Sequence, residues 1–441
     1  MSDTLFIVLA AGEGTRMRSS RPKVMHKIAG MPMLGHALHA ARAAFPGARF
    51  CVVVGPGMDT VADYAREHAD GCAVAVQSER LGTAHAVLQA RASIEAGDWR
   101  RIIVLYGDTP LIRPESLSAL AGSIDGGASV AVLGFRPEDP HGYGRLVIEA
   151  GRLVRIVEEK DASPEERAIG FCNSGVVGFD GRIALQLLDA IGNDNAKGEY
   201  YLTDAVAGAV AAGLRASAVE AEANEVLGVN TRGELARAEA LAQTRYRAAA
   251  MAAGVTLIDP SSVYFSHDTV IGRDVVIEPN VFFGEGVTVG AGTTIHGFSH
   301  IAGADIGEDA DIGPFARLRP GAKIGKEARI GNFVEVKNAV FEAGAKANHL
   351  SYIGDAHVGE KANIGAGTIT CNYDGRNKHK TDIGAGAFIG SNSALVAPVR
   401  IGKGAYVGSG SVITEDVSDG ALAIGRGRQV EKPGRAPKPK I

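Results

Sequence analysis

From Ile271 onward the chain places an apolar residue every sixth position. The series runs through Ile271, Ile277, Phe283, Val289, Ile295 and Ile301, takes one five-residue step, and resumes through Ile306, Ile312, Leu318, Ile324, Ile330 and Val336. It returns as Ile383, Ile389, Leu395, Ile401, Val407 and Ile413. A six-residue period is too long for a strand's alternation and does not fit the 3.6-residue helix. It suits a solenoid of short flat strands joined by turns, with one apolar side chain per unit directed inward. Glycines follow many of these positions, at Gly272, Gly290, Gly307, Gly325, Gly384 and Gly402, and are expected to supply turn dihedrals. The period is expected to break between Val336 and Ile353 and again between Ile369 and Ile383, and such breaks in solenoids are commonly loops on a binding face.

The first half follows different rules. Leu5–Ala11, Arg49–Val54 and Arg101–Tyr106 are strand-length apolar runs, each followed by Gly or Asp and separated by segments of helical character such as Thr83–Ala96. Near-continuous apolar strands alternating with helices predict a doubly wound parallel α/β sheet, with ligands bound beyond the carboxyl ends of its strands. Between the halves, Arg232–Ala253 is rich in Ala, Arg, Glu and Leu, lacks Pro and stops at Gly254, so it reads as a connecting helix. The expected division is 1–230, a nucleotide-handling domain; 231–254, a linker helix; 255–430, a β-solenoid; and 431–441, a basic tail.

A chain of 441 residues is too long for one ordinary core. A net charge of −4 offers no global attraction for nucleic acid or an anionic membrane. The tail's Lys432, Arg435, Lys438 and Lys440, among prolines and glycine, read as a solvated terminus. Cys51, Cys72, Cys172 and Cys371 stand far apart with no C-x-x-C pair, which fits a reducing, cytoplasmic compartment. The apolar start is too short for a signal sequence, and no apolar run is long enough for a membrane span.

The first strand leads into Leu9-Ala10-Ala11-Gly12-Glu13-Gly14-Thr15-Arg16-Met17, with Pro22-Lys23 after it. Glycines let a backbone approach phosphates, and Arg16 and Lys23 add positive charge. The third glycine of a dinucleotide fingerprint is missing, and so is the G-K-[ST] of a P-loop. The whole string resembles the signature of sugar-nucleotide pyrophosphorylases. That resemblance implies that Gln77 and Gly82–Thr83, in Gln77-Ser78-Glu79-Arg80-Leu81-Gly82-Thr83-Ala84, meet uracil. It implies that Tyr106-Gly107-Asp108 closes the nucleotide site, and that Asp108 and Asn230 hold Mg²⁺, a cation that favours oxygen ligands. Gly144, Glu158 and Asn173 match positions that hold an N-acetylated sugar; Glu159 is the alternative to Glu158.

In the second half the polar groups gather at the expected breaks: Glu335, Lys337, Asn348, His349 and Tyr352, then Asn372-Tyr373-Asp374-Gly375-Arg376-Asn377-Lys378. With the first half, this resembles the bacterial bifunctional UDP-N-acetylglucosamine pyrophosphorylase / glucosamine-1-phosphate acetyltransferase family over nearly the whole chain. The implied fold is a Rossmann-like nucleotidyltransferase domain followed by a left-handed parallel β-helix. The implied reactions are acetylation of glucosamine-1-phosphate by acetyl-CoA, then transfer of UMP from UTP to N-acetylglucosamine-1-phosphate, for cell-wall and lipopolysaccharide precursors. The resemblance assigns glucosamine-1-phosphate to Arg319, Lys337, Tyr352, Asn363 and Lys378, and the general base to His349, with Glu335 as its orienting partner. The Asn372–Tyr373 backbone would supply oxyanion donors, and acetyl-CoA would also meet Ala366, Ser391, Ser409 and Arg426. Ser409 stands where the family pattern has Ala. The family forms homotrimers through the β-helix, neighbouring chains completing each acetyl site.

Three other readings compete: a nucleotidyltransferase with a merely regulatory β-helix, as in ADP-glucose pyrophosphorylase-like proteins; a non-catalytic scaffold; and a γ-class carbonic anhydrase using some of His267, His296, His300, His349 and His357. The His349 and Asn372–Lys378 groups speak against the first, the Gly12–Lys23 loop and Asp108 against the second, and the front domain against the third.

Overall fold

The computed structural model describes residues 3–195 and 197–436. Of the basic tail, residues 437–441, which include Lys438 and Lys440, lie outside the described residues. The chain divides into two compact units, Met1–Ala242 and Gln243–Ile441, the division falling within the helix Arg232–Ala252.

In the first unit the path through the sheet runs Ala216–Glu220, Val130–Phe135, Cys172–Asp180, Arg101–Tyr106, Thr4–Leu9, Arg49–Val54, Ala73–Val76. The apolar start is a strand, Thr4–Leu9, buried throughout. Side chains alternate between its faces. Leu5, Ile7 and Leu9 pack into one cluster with Ala84 and Val87 of the helix Thr83–Leu88. Phe6 and Val8 pack into another with Leu34 and Leu38 of the helix Met33–Ala44. Layers on both faces explain why the run is apolar without interruption. The sheet is mixed, however: Cys172–Asp180 runs antiparallel to both of its neighbours. The chain reaches it from the hairpin Arg145–Glu149/Arg152–Val157, so no long crossover helix is needed to turn it parallel.

The second unit is a β-helix of three parallel sheets. Successive strands fall in different sheets, and each pairs with a strand one coil away: Val270 with Thr288, and Thr288 in turn with Asp305. Two residues per strand face inward, rather than one. From Ile277 to Ile330 the position two before each periodic apolar residue is also buried, as Val275, Val281 and Val287 and then as the smaller Thr293, Ser299, Ala304, Ala310, Ala316, Ala322 and Ala328. It directly follows the turn.

Two sequence expectations change here. The glycines after the apolar positions are not the left-handed turn residues. Their role is close stacking of coils: a Cβ on Gly290 would sit 2.6 Å from Glu308 N, and one on Gly307 2.8 Å from Lys326 N. The left-handed position falls within the turns, where Asn280, Phe298 and Phe315 adopt it alongside Gly292. Nor is there a break between Val336 and Ile353. Phe341 and Ala347 occupy the inward positions, and Ala347 hides the period because it is small. The second interruption is real. Ile369 pairs with Ala394 across a coil longer than those before it, and the extra chain is the loop after Cys371. The inward residue there is Thr370, with Ile369 turned out to solvent.

Candidate active sites

The first site lies beyond the carboxyl ends of Thr4–Leu9 and Arg101–Tyr106, in a cleft of about 610 Å³. Leu9, Ala10, Ala11, Gly12, Lys23, Gln77, Gly82, Thr83, Tyr106, Asp108, Glu158 and Asn173 line it. An adjoining hollow of about 210 Å³ is lined by Glu13, Gly14, Thr15, Arg16, Lys23, Arg80 and Asn230. Gly107 and Gly144 stand just behind the wall: Gly107 N donates to Leu9 O at 2.9 Å, and Gly144 O accepts from Asn173 N at 2.8 Å.

Lys23 forms the junction of the two hollows. Its ammonium pairs with the Asp108 carboxylate and donates to Asn230 Oδ1 at 3.0 Å. Gly14 makes this possible. It is left-handed (φ 64°), and a Cβ there would come within 2.5 Å of the Lys23 side chain. Asp108 and Asn230 are also tied through the backbone, Val229 N donating to Asp108 O at 2.9 Å. Two oxygen ligands thus already face one cation, which is the donor chemistry a Mg²⁺–nucleotide complex needs.

The Gln77–Thr83 wall is held by short-range contacts. Gln77 Nε2 donates to Gly82 O at 3.2 Å. Gly82 has φ 116°, and a Cβ there would lie 2.4 Å from Tyr200 O. Burial, with Asp108 and Glu158 nearby, pushes the Tyr106 phenol up, so it remains a neutral hydrogen-bonding group. Burial also raises the Glu158 carboxyl, and Lys197 partly offsets it. Glu158 Oε1 lies 3.4 Å from where a Cβ of Gly144 would stand, whereas Glu159 turns to the Gly142 amide and to His141 Nδ1 at 2.9 Å. Glu158 is therefore the carboxylate beside Gly144. Sequence reasoning passed over Arg80, Lys197 and Thr203, all in the cleft wall; of these, Arg80 stands inside the quoted Gln77–Ala84 string.

The second site is built on the β-helix. His349 ends the strand Lys346–His349 and is exposed. Its Nδ1 lies 2.6 Å from Asn332 Oδ1, one coil away. An amide oxygen only accepts, so Nδ1 is the donor in this contact, and in the neutral ring the lone pair falls on Nε2. Glu335 is not the partner: it accepts from Arg319 Nη1 at 2.7 Å and stacks in register with Tyr352. Register explains the choice. Asn332 precedes His349 by one full coil and lies directly beside it, whereas Glu335 falls short of a full coil and lies beside the next strand instead.

Lys337 and Lys378 face each other closely. Lys378, then desolvation and Arg319, hold the Lys337 ammonium below its usual range. Lys337, Lys378 and Arg319 lie near one another, Arg319 already paired with Glu335, a charge pattern that suits an anion. The loop bearing Lys378 is fastened by Asp374, which accepts from Asn377 N at 2.6 Å, His379 Nε2 at 2.7 Å and Arg376 N at 2.7 Å, and is pulled down to about 2. The Tyr352 ring lies over Gly354, whose strand partner is Lys337. Asn363 stands in a different sheet, paired with Lys346. Asn372 corrects an expectation: its N–H donates to Thr370 O at 2.9 Å and its amide holds Asp355, so that N–H is not an available oxyanion donor. Tyr373 is exposed beside it. Ala366, Ser391, Ser409 and Arg426 fall in one file of turns: Ala366 O accepts from Asn392 N and Ser391 O from Gly410 N, each at 2.7 Å, and Arg426 donates to Ser409 O.

Both units resemble known proteins. Residues 6–169 match the MobA-like NTP transferase domain family, and 268–303 and 380–415 match the bacterial transferase hexapeptide family. A bifunctional protein GlmU of Azorhizobium caulinodans is 59% identical over 98% of this chain and 96% of its own length. GlmU proteins of Xanthobacter autotrophicus (60% identical, 99% and 97% covered) and a Bradyrhizobium species (58%, 98% and 96%) are similarly near. With such identity along almost its full length, and with a nucleotidyltransferase cleft and a hexapeptide β-helix in one polypeptide, the chain belongs to the bifunctional GlmU family of uridylyltransferase–acetyltransferases.

Proposed function

We propose that the β-helix acetylates glucosamine-1-phosphate with acetyl-CoA and that the cleft of the first unit joins the product, N-acetylglucosamine-1-phosphate, to UMP from UTP. The observation that carries this reading is the Lys23–Asp108–Asn230 junction at the cleft in the same chain as the Lys337–Lys378–Arg319 cluster and His349.

In the uridylyl reaction a sugar phosphate oxygen attacks the α-phosphorus of UTP and pyrophosphate leaves. Asp108 and Asn230 are the residues that would hold Mg²⁺, which neutralises phosphate charge when bound. Lys23 and Arg16 steady the phosphates, Gln77 and Gly82–Thr83 seat the uracil, and Glu158, Asn173 and Gly144 hold the acetamido sugar. Positioning and charge neutralisation carry the rate.

In the acetyl reaction Arg319, Lys337 and Lys378 hold the phosphate, and Tyr352 and Asn363 the sugar. The amine nitrogen attacks the thioester carbonyl carbon, the C–S bond breaks, and coenzyme A leaves as the thiol. The nitrogen's proton passes to His349 Nε2, the basic position left by the Asn332 contact, and from there to the departing sulfur. Coenzyme A runs along the Ala366–Ser391–Ser409–Arg426 turns, with Asn372 and Tyr373 at its acyl end. Asn363 and Tyr352 belong to different faces of the coil, which supports completion of each site by a neighbouring copy in a homotrimer. Both reactions draw on the cytoplasmic pools of UTP and acetyl-CoA. Among the described residues no helix is long and apolar enough to cross a membrane.

The test is one incubation with glucosamine-1-phosphate, acetyl-CoA, UTP and Mg²⁺. UDP-N-acetylglucosamine, pyrophosphate and free thiol are expected in equal amounts. Thiol release without pyrophosphate, or the reverse, overturns the two-site reading.

A further inference from the structure

The hollow next to the nucleotide cleft contains an ion pair that the reaction as described does not use. Arg80 and Glu13 meet across its mouth, Arg80 from the Gln77–Ala84 segment and Glu13 from the glycine loop. The guanidinium is seated rather than free. Arg80 Nε donates to Ala11 O at 3.4 Å, and a Cβ on Gly55 would lie only 3.4 Å from Nη2, so the bare glycine leaves space for it. Both side chains are about half exposed, 45% for Arg80 and 56% for Glu13, so water can reach the pair and the contact is weak enough to exchange. Arg80 lines both the main cleft and the hollow, as Lys23 does.

Charge decides what the hollow can take. Its rim carries Arg16, Lys23 and Arg80 against Glu13, and Lys23 is already committed to Asp108 and Asn230. A nucleoside triphosphate brings about four negative charges, and the departing pyrophosphate collects most of them. A guanidinium binds two phosphate oxygens at once in fixed geometry, which an ammonium does not. We infer that Arg80 is a clamp for the β- and γ-phosphates of UTP, and for pyrophosphate in the reverse reaction, and that Glu13 holds it in reserve until phosphate displaces the carboxylate. This rests on the uridylyl reading of the cleft.

Exchange of partners makes a prediction that plain electrostatics does not. If Glu13 acts by competing for Arg80, Glu13→Gln tightens UTP and pyrophosphate only while Arg80 is present. If Glu13 merely repels phosphate, the gain is the same with or without Arg80. The experiment is a double-mutant cycle on the full chain, reading KM and kcat for UTP and for pyrophosphate, with acetyl transfer in the β-helix as the internal check on folding. Arg80→Ala is expected to raise both KM values roughly tenfold or more, the scale of a charge-assisted hydrogen bond, with Arg80→Lys in between. Glu13→Gln is expected to lower them about twofold to fivefold, the worth of an exposed ion pair, and to change nothing in the Arg80→Ala background. An Arg80→Ala enzyme with KM values within twofold of the parent overturns the clamp. An equal gain from Glu13→Gln in both backgrounds overturns the reserve. Absence of UTP-dependent activity in the parent would instead defeat the reading of the cleft itself.

Discussion

His349 Nδ1 lies 2.6 Å from Asn332 Oδ1, and the two residues stand in register on adjacent coils of the β-helix. The contact makes Nδ1 the donor and leaves Nε2 as the basic nitrogen of the neutral ring. His349→Ala should lower acetyl transfer by ~10²–10⁴, the range for loss of a general base. Asn332→Ala should cost less, about tenfold, by freeing the ring to take the wrong tautomer, and should fall on kcat more than on KM. Thiol release with each variant measures both. Glu335→Gln should act through Arg319, raising the KM for glucosamine-1-phosphate. A kcat loss equal to that of Asn332→Ala would return the orienting role to Glu335.

Asp108→Ala should abolish UTP-dependent pyrophosphate release and leave acetyl transfer intact. The partner losses should be graded, because Asn230 supplies one neutral oxygen and Asp108 a charge: Asn230→Ala should retain more activity than Asp108→Ala and recover part of it at high Mg²⁺. Pyrophosphate release over a Mg²⁺ titration checks the order.

Lys337 and Lys378 repel one another in the absence of an anion, Lys378 holding Lys337 below the usual lysine range. Lys378→Met should therefore leave the melting temperature unchanged or higher while raising the KM for glucosamine-1-phosphate roughly tenfold or more. A fall in melting temperature would mean the loop is held by Lys378 itself rather than by Asp374.

His357 stands between Asp382 Oδ1 at 2.8 Å and Glu342 Oε1 at 3.0 Å on neighbouring coils. Burial works against its charge, but the two carboxylates outweigh it and raise the imidazole above its ordinary value. A raised folded value means the charged ring contributes stability that is full below the unfolded value near 6.5 and is lost as pH climbs through the folded one. His357→Gln should thus lower the melting temperature at pH 6 and have a smaller effect at pH 9; thermal melts of both chains at the two pH values provide the check.

Much of this protein was determined by local order in the sequence. A six-residue period repeated over many turns leaves a β-solenoid as the natural way to bury one face, and an uninterrupted apolar run before a glycine loop is a strand buried on both sides. The nucleotide cleft was legible for the same reason: its walls come from short contiguous strings at strand ends, Leu9–Gly12, Gln77–Thr83 and Tyr106–Asp108. What the sequence could not decide was which residues meet across coils and across the sheet. Asn332 reaches His349 because the two fall one coil apart. The length of that coil is fixed by stacking and is blurred in the sequence by Ala347 and Phe341. Arg80 meets Glu13 because the chain after Ala73–Val76 and the loop after Thr4–Leu9 converge past the end of the intervening strand Arg49–Val54. The antiparallel course of Cys172–Asp180 and the second inward residue of the β-helix strands likewise follow from how the elements pack, which exists only once the chain has folded.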